Sequence, residues 1–274
     1  MGQTLTLHEA AEELGVHYMT AYRYVRHGLL AATKVGGTWQ VEQGAIERFQ
    51  NGDQAPVEPG GRAPWSDRLE SRLMAGDAAG SWGVVESALA AGTELDALYL
   101  DVISPAMVTI GERWAAGEID IIVEHVASGI VMRMIGRLGH RFTRRGRTRG
   151  GVAVGAPAGE AHALPVAILG DLLRLRGWDV IDLGADVPPG SWSHAVSSAP
   201  DLVAVGISVT TPDATPAAAA ACAAVRAARP EVKIVLGGLG VAGQSHAEEL
   251  GADGQASSGA EMNALLDGWV RKSS

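Results

Sequence analysis

The chain has 274 residues, enough for two or three domains, and its 47% hydrophobic and 19% charged residues are ordinary for a globular protein. A formal net charge of -9 argues against indiscriminate binding to nucleic acid, and a single cysteine, Cys222, excludes an internal disulfide or a cysteine metal cluster. The sequence contains neither an apolar run of transmembrane length nor a signal peptide, so we expect a cytoplasmic protein that does not engage a membrane.

The first 51 residues predict a helix-turn-helix followed by a hairpin. Thr6 and Glu9 match a capping box that opens a first helix, and Gly15 ends it. A second helix is expected over residues 17–27, and the Gly-Gly pair after Val35 predicts a two-residue hairpin. A short closing helix completes the domain.

This stretch resembles the winged helix-turn-helix of the excisionase and MerR group, whose second helix enters the major groove while the wing touches the DNA backbone. The resemblance implies DNA contacts from Thr20, Arg23, Arg26, Lys34 and Trp39. No acidic residue lies between Glu13 and Glu42, so an acid-free window covers both elements that would touch phosphate. A basic face on a protein-protein module is the alternative. The tyrosines of the second helix could contact DNA or belong to the core.

The middle of the chain predicts a linker, a helical domain and a second linker. Residues 52–64 are rich in proline and glycine, which indicates a tether between the first domain and the rest. Residues 65–140 carry four helical patterns on short loops, which predict a four-helix bundle. Residues 141–150 include five arginines in a nine-residue window; we interpret them as a solvated basic linker in preference to a DNA contact or a subunit docking surface.

Residues 151–274 predict about five βα units, the size of a flavodoxin-like, Rossmann-type sheet. The whole chain is therefore expected to be a multidomain α and α/β protein. Polar or small residues directly follow three of the predicted strands: Glu160, His162, Ser208, Thr210, Gly237 and Gly238. Because open α/β sheets bind ligands at the carboxyl edge of their strands, this edge is the expected site. A single histidine, taken alone, is more often a helix cap or a solvent-facing residue than a ligand. No G-x-G-x-x-G follows the first strand to indicate a dinucleotide site.

The glutamate and histidine after the first strand, the serine after the third and the glycine pair after the fourth resemble the cobalamin-binding domain. Its family pattern is Asp-x-His-x-x-Gly, then Ser-x-Leu, then Gly-Gly. The resemblance implies His162 as the lower cobalt ligand, Ser208 as a contact to the nucleotide tail, and Gly237 and Gly238 as points of close backbone approach. The chain departs from the pattern with Glu160 for Asp, Pro165 for Gly and Thr210 for Leu. A glutamate can still orient the imidazole, and proline is tolerated in a first helical turn.

In the helical domain, Trp114 is followed after nine residues by Glu124 and His125. This spacing resembles the bundle of the CarH/LitR family of cobalamin-dependent photoreceptor regulators, in which these residues cap the upper, 5′-deoxyadenosyl face of adenosylcobalamin. The resemblance implies adenosylcobalamin as the cofactor and these three residues as its upper contacts. On spacing alone, Trp114 could be a core aromatic and Glu124-His125 a surface pair. The family has a histidine directly after the tryptophan, where this chain has Ala115.

The resemblance to the CarH/LitR family implies a light-responsive transcription regulator and not an enzyme. Such a protein would bind a DNA operator as a tetramer in the dark and release it when light cleaves the cobalt-carbon bond. The alternatives are a corrinoid methyl carrier of a methyltransferase system and a cobalamin sensor that ignores light. The winged helix argues against a methyl carrier, which has no use for a DNA-reading head. Because Ala115 offers no imidazole, we expect water or His125 at the upper cobalt position after photolysis.

Overall fold

A computed structural model of the chain describes residues 4–16, 18–26, 30–35, 38–50, 64–144 and 146–273. Its internal contacts divide the chain into two compact units, Met1–Arg137 and Leu138–Ser274. The first unit holds a small three-stranded sheet and helices, and the second a five-stranded parallel sheet with helices, so the predicted α and α/β fold class is confirmed. None of the helices described is long and apolar enough to cross a membrane.

The first 50 residues form a small head of three strands and three helices. Its elements are β1 (Thr4–Thr6), α1 (Leu7–Glu13), α2 (Tyr18–Arg26), β2 (Ala32–Val35), β3 (Thr38–Glu42) and α3 (Gln43–Gln50). The predicted capping box is present, because the Thr6 hydroxyl accepts from the Glu9 N–H at 3.3 Å and the Glu9 carboxylate accepts from the Thr6 N–H at 2.7 Å. Both β1 and β2 pair with β3 in antiparallel register. The sequence did not predict β1, since three residues are too few for a periodic pattern.

The aromatic residues of the head pack against its hydrophobic core. Leu7, Val41 and Ile46 are buried there, and Tyr18, Tyr22, Tyr24 and Trp39 lie partly buried against them. The tyrosines of α2 therefore have a packing role, which the sequence left undecided. The Tyr22 hydroxyl also donates to the Asp101 carboxylate at 2.6 Å, which connects α2 to the helical part of the same unit.

The helical part of the first unit consists of four helical runs, as predicted. Its elements are α4 (Trp65–Met74), α5 (Ala78–Ala90), α6 (Leu95–Ala97), a π-helical turn (Leu98–Ile103), α7 (Ser104–Ala115) and α8 (Ile121–Leu138). The third run was expected to be one helix and instead widens into the π-helical turn just before Pro105. Proline lacks the N–H that would bond the carbonyl one turn earlier, and the wider turn lies where that bond would be lost.

The second unit is a doubly wound sheet. A 3₁₀ turn (Gly139–Arg141) precedes β4 (Gly151–Gly155), α9 (Ala163–Leu175), β5 (Asp179–Asp182), α10 (Pro189–Ser198), β6 (Leu202–Ser208), a 3₁₀ turn (Pro212–Ala214), α11 (Thr215–Ala228), β7 (Lys233–Gly237), α12 (Gly243–Glu249), β8 (Gly254–Ala256) and α13 (Gly259–Ser273). The parallel strands lie in the order β5-β4-β6-β7-β8. The order reverses between β4 and β6, and the carboxyl edge of such a switch point is where sheets of this class bind ligands.

Helices cover both faces of this sheet, so its central strands are buried on both sides. Ala153 and Ile207 pack with Trp192 and Cys222 on one face. On the other face Val152 and Val154 pack with residues of α9 and α13. Burial raises the pKa of the Cys222 thiol to about 12, so the side chain behaves as a small buried hydrophobe.

The basic segment before β4 is partly anchored. Arg149 stacks over Trp178 with its guanidinium carbon 4.6 Å from the ring centroid, and it also forms an ion pair with Asp267. Arg141 and Arg144 are exposed. Arg145 lies outside the part of the chain that is described.

Candidate cofactor site

The loop after β4 presents His162 at the carboxyl edge of the sheet. The Glu160 N–H donates to the Pro157 carbonyl at 3.0 Å and closes a turn. Gly159 lies at the third position of this turn with φ +80°, a conformation that favours glycine. His162 directly precedes α9, and its side chain is 47% exposed, whereas that of Glu160 is 1% exposed. The imidazole is therefore accessible while the carboxylate beside it is not.

The buried Glu160 carboxylate connects the loops that follow β4 and β6. Its Oε2 accepts from the Thr210 N–H at 2.8 Å, the Thr211 N–H at 2.9 Å and the Thr211 hydroxyl at 3.3 Å. Its Oε1 accepts from the His162 N–H at 3.2 Å and is hydrogen-bonded to Nδ1 of the same residue. One side chain thus orients the imidazole and spans the switch point of the sheet.

The protonation of this pair follows from the hydrogen bonds. Burial by itself would raise the pKa of Glu160, but the hydrogen bonds from His162 and from the N–H groups of Thr211 and Thr210 outweigh it and hold the pKa below its usual value. An ionised carboxylate only accepts, so a neutral imidazole must carry its proton on Nδ1 and keep a lone pair on Nε2. This is the usual arrangement of a metal-ligating histidine with an outer carboxylate partner.

The donor set fits a metal that brings most of its own ligands. Within the described residues, no group of three or more His, Cys, Asp or Glu side chains is placed to hold a metal ion. The accessible imidazole of His162 is placed to supply one ligand to a metal that a carrier holds. Cobalamin would supply most of the ligands of its own cobalt, so a single imidazole donor is compatible with the cofactor that the resemblance implied.

Ser208 and the glycine pair lie beside this loop. Ser208 ends β6, pairs in register with Gly237, and is 8% exposed. Its hydroxyl forms no hydrogen bond with any described residue, so a polar group of a ligand could satisfy it. A Cβ at Gly237 would lie 2.5 Å from the Ala256 carbonyl oxygen, and a Cβ at Gly238, where φ is +97°, would overlap the Val209 carbonyl. The protein's own backbone requires both glycines. Their role in the close approach of a cofactor, which the resemblance implied, stays a prediction.

Two residues of this network were missed by sequence reasoning. Thr211 donates to Glu160 from both its N–H and its hydroxyl. Asp186, in the loop after β5, accepts from the Gly159 N–H at 2.7 Å. Only their place in the sequence could have pointed to them, because both residues follow predicted strands and therefore lie at the same edge of the sheet.

In the first unit, Glu124 and His125 are in contact, and Trp114 is exposed. Glu124 accepts from His125 Nδ1 at 2.6 Å and from the Ser128 hydroxyl at 2.5 Å, within the first turns of α8. Trp114 lies near the end of α7 and is 44% exposed, so it is not the core aromatic of the alternative interpretation. Among the described residues, no hydrogen bond or ring contact joins Trp114 to the other two. Ile122 and Val126 on α8 are also exposed, at 67% and 43%.

The predicted DNA contacts lie on the expected elements. Thr20, Arg23 and Arg26 belong to α2 and Lys34 to β2, but their side chains are outside the described part of the structure. Trp39 is on β3 and is partly buried against the core of the head.

Three parts of the chain match known domain families. Residues 4–53 match a helix-turn-helix domain, and residues 65–138 and 150–265 each match a family described as a B12 binding domain. The chain thus combines an N-terminal helix-turn-helix domain with a helical and an α/β cobalamin-binding domain.

Individual relatives belong to two kinds of protein. The chain is 28% identical over 176 residues to the trimethylamine corrinoid protein of Methanosarcina barkeri, covering 62% of this chain and 80% of that protein. It is 33% identical over 142 residues to the HTH-type transcriptional repressor CarH of Myxococcus xanthus, covering 51% of this chain and 46% of the repressor. The solved structure of the M. barkeri monomethylamine corrinoid protein aligns with a TM-score of 0.64 and 21% identity over 74% of this chain and 97% of that one, which shows a common fold.

Proposed function

We propose that the protein is a cobalamin-dependent transcriptional regulator whose cofactor is adenosylcobalamin and whose partner is a DNA operator. The observation that carries the proposal is the imidazole of His162, held by the buried Glu160 with Nε2 free, in a chain that begins with a helix-turn-helix head. Similarity to the CarH repressor over half of this chain supports it.

The lower side of the cofactor is held by the second unit. Glu160 keeps the proton of His162 on Nδ1, so that Nε2 ligates the metal. Ser208, whose hydroxyl forms no hydrogen bond with a described residue, would offer that hydroxyl to the nucleotide tail. Thr210 contributes through its N–H, which fixes Glu160, and Gly237 and Gly238 form the adjoining edge.

The upper side is assigned to Trp114, Glu124 and His125. Trp114 is exposed, and so are the aliphatic residues Ile122 and Val126 on the helix that carries Glu124 and His125, so these apolar side chains are accessible to a cofactor. The chemistry supplied by bound adenosylcobalamin is a cobalt-carbon bond that light cleaves. If the adenosyl group left, these side chains would lose their contact with it, and because packed interfaces switch between discrete arrangements, the assembly would change. We propose a tetramer that holds DNA in the dark and a smaller, DNA-free form in the light.

The test is size-exclusion chromatography and operator binding of the cobalamin-loaded protein, in the dark and after green light. The proposal expects an earlier elution and tighter operator binding in the dark. His162→Ala should lose imidazole ligation in the visible spectrum and retain cobalamin weakly. An imidazole-ligated spectrum that survives in His162→Ala would refute the ligand assignment. Because Ala115 stands where the family has a histidine, His125 is a candidate for the upper cobalt position after photolysis. The visible spectrum of illuminated His125→Ala tests this role.

The same experiment distinguishes two other candidate functions. Similarity to 80% of the trimethylamine corrinoid protein favours a corrinoid methyl carrier as the second candidate. A methyl carrier would bind no operator in any cofactor or light state. A cobalamin sensor that ignores light would change its operator affinity with cofactor loading and keep one elution volume in dark and light.

A further inference from the structure

We propose that Asp186 is a positioning residue for His162, which acts by holding the loop after β4 in the shape that presents the imidazole. The proposal rests on the proposed function, in which His162 ligates cobalt. Asp186 lies in the loop between β5 and α10, 24 positions after His162 in the sequence.

The backbone of Asp186 marks it as a special position. Its φ is +56°, and it is the one non-glycine residue in the described part of the chain with a positive φ. Aspartate is among the few side chains that tolerate this left-handed conformation, which is otherwise unfavourable for residues with a Cβ. A residue in such a conformation is retained where surrounding contacts require it.

Those contacts are made with the turn that carries His162. The Asp186 carboxylate accepts from the Gly159 N–H at 2.7 Å, and its own N–H donates to the Glu160 carbonyl at 2.9 Å. One residue later, the Val187 N–H donates to the Ala156 carbonyl at 3.0 Å, beside a parallel bridge between Pro157 and Val187. The loop after β5 therefore pairs with the His162 loop along most of its length.

Asp186 controls His162 through Glu160. Its N–H fixes the Glu160 backbone, and its carboxylate fixes the turn directly before Glu160. The Glu160 carboxylate then fixes the imidazole. No hydrogen bond among the described residues joins Asp186 to His162 itself. Without the Asp186 acceptor, the Gly159 N–H turns to water, the turn loosens, and Nε2 is less well aimed at the metal.

Two substitutions of Asp186 separate the effect of its carboxylate from the effect of its backbone conformation, and a third substitution nearby is the control. Asp186→Asn keeps an oxygen acceptor and tolerates a positive φ, so it should behave as the wild type. Asp186→Gly also tolerates the φ but has no acceptor, so it isolates the hydrogen bond. Asp182→Ala is the matched control, because the Asp182 carboxylate caps the Gly184 N–H at 2.9 Å in the same loop and, among described residues, bonds nothing in the His162 turn.

The measurements are made on both the free and the loaded protein. In the free protein, amide exchange of residues 158–162 should be faster in Asp186→Gly and unchanged in Asp182→Ala. In the protein loaded with adenosylcobalamin, Asp186→Gly should bind about ten-fold more weakly, the lower end of the loss seen when a metal ligand loses an outer partner. The imidazole-ligated fraction in the visible spectrum should fall with it. In a His162→Ala background, Asp186→Gly should have no further effect on affinity.

Several results would overturn the proposal. Asp186→Gly could lower the thermal midpoint and leave affinity and spectrum unchanged, which would make Asp186 purely structural. An equal loss in Asp182→Ala, or a loss that persists in the His162→Ala background, would also exclude action through His162. If the cobalamin-loaded wild-type protein lacked an imidazole-ligated spectrum, the proposed function itself would be refuted. That result can be told apart from failure of the Asp186 proposal, because it is seen in the wild type without any Asp186 variant.

Discussion

Replacing Glu160 by glutamine removes the charge from the carboxylate that holds two loops together. The glutamine has the same size, so the substitution leaves no cavity in a position that is 1% exposed. Its amide oxygen can still accept from the Thr210 and Thr211 N–H groups. Its NH₂ group then faces both the N–H and Nδ1 of His162, which had donated to Oε1, so donors meet donors there. The imidazole must move its proton to Nε2, the atom that the proposed function assigns to cobalt.

The two consequences have different sizes. A hydrogen bond to a charged group contributes about 1.5–3 kcal/mol and a neutral one about 1 kcal/mol, so weakening the bonds from the Thr210 and Thr211 N–H groups alone lowers the free energy of unfolding by roughly 2 kcal/mol. A loss of this size lowers the melting temperature of a large domain by about 4–8 °C. Metal affinity should fall by about 10–100-fold, because the ligand loses its outer partner and is held in the wrong tautomer.

The assay compares thermal unfolding with the visible spectrum of cobalamin-loaded Glu160→Gln. Asp253→Asn is the matched control, since the Asp253 carboxylate accepts from the Ile234 N–H at 2.9 Å and pairs with Arg226 at 2.7 Å, at the opposite edge of the sheet. Asp253→Asn should lose stability and keep the wild-type spectrum. If Glu160→Gln kept full imidazole ligation, or if both variants lost it equally, the assignment of the proton to Nδ1 would be wrong.

The stability loss in Glu160→Gln should also depend on pH. The pKa of Glu160 is lowered in the folded protein, so its contribution is fully present above the usual value of 4.5 and is lost as the pH falls through the folded pKa. The difference in melting temperature between wild type and Glu160→Gln should therefore be largest above pH 4.5 and shrink in acid. A difference that grows as the pH falls would contradict the lowered pKa.

Two further predictions concern the sheet edge and the head. Gly238→Ala should lower the free energy of unfolding, measured by chemical denaturation, by more than about 2 kcal/mol, because its Cβ would overlap a backbone carbonyl at φ +97°. The control is Gly243→Ala, at φ +85° with open space around the Cβ, which should lower it by only about 1 kcal/mol. Equal losses in the two variants would disprove the overlap. Replacing Arg23 and Arg26 by alanine should make the affinity for operator DNA less dependent on salt. The slope of log affinity against log salt should become shallower by about 0.9 for each phosphate that these side chains neutralise. Exposed Arg68, outside the head, is the control, and its replacement should leave the slope unchanged.

The sequence by itself determined the local elements and the edge on which the site lies. The capping box of Thr6 and Glu9 acts over three residues, so its pattern predicted the helix start that the structure confirms. The strands that precede His162 and Ser208 are short apolar runs ended by small residues, and parallel neighbouring strands bring the loops at their carboxyl ends to one edge. These inferences succeed because periodicity and turn chemistry are properties of neighbouring residues.

Only the tertiary structure decided how those residues are connected. Glu160 meets Thr210 and Thr211 because β4 and β6 are neighbours in the sheet, although they lie some fifty positions apart in the chain. Asp186 reaches the His162 turn because β5 lies on the other side of β4. Strand order arises from the packing of the whole unit and leaves no local pattern. The need for glycine at position 238 arises in the same way, because the Val209 carbonyl in the loop after β6 leaves no room for a Cβ. The sequence pattern alone could not predict that contact.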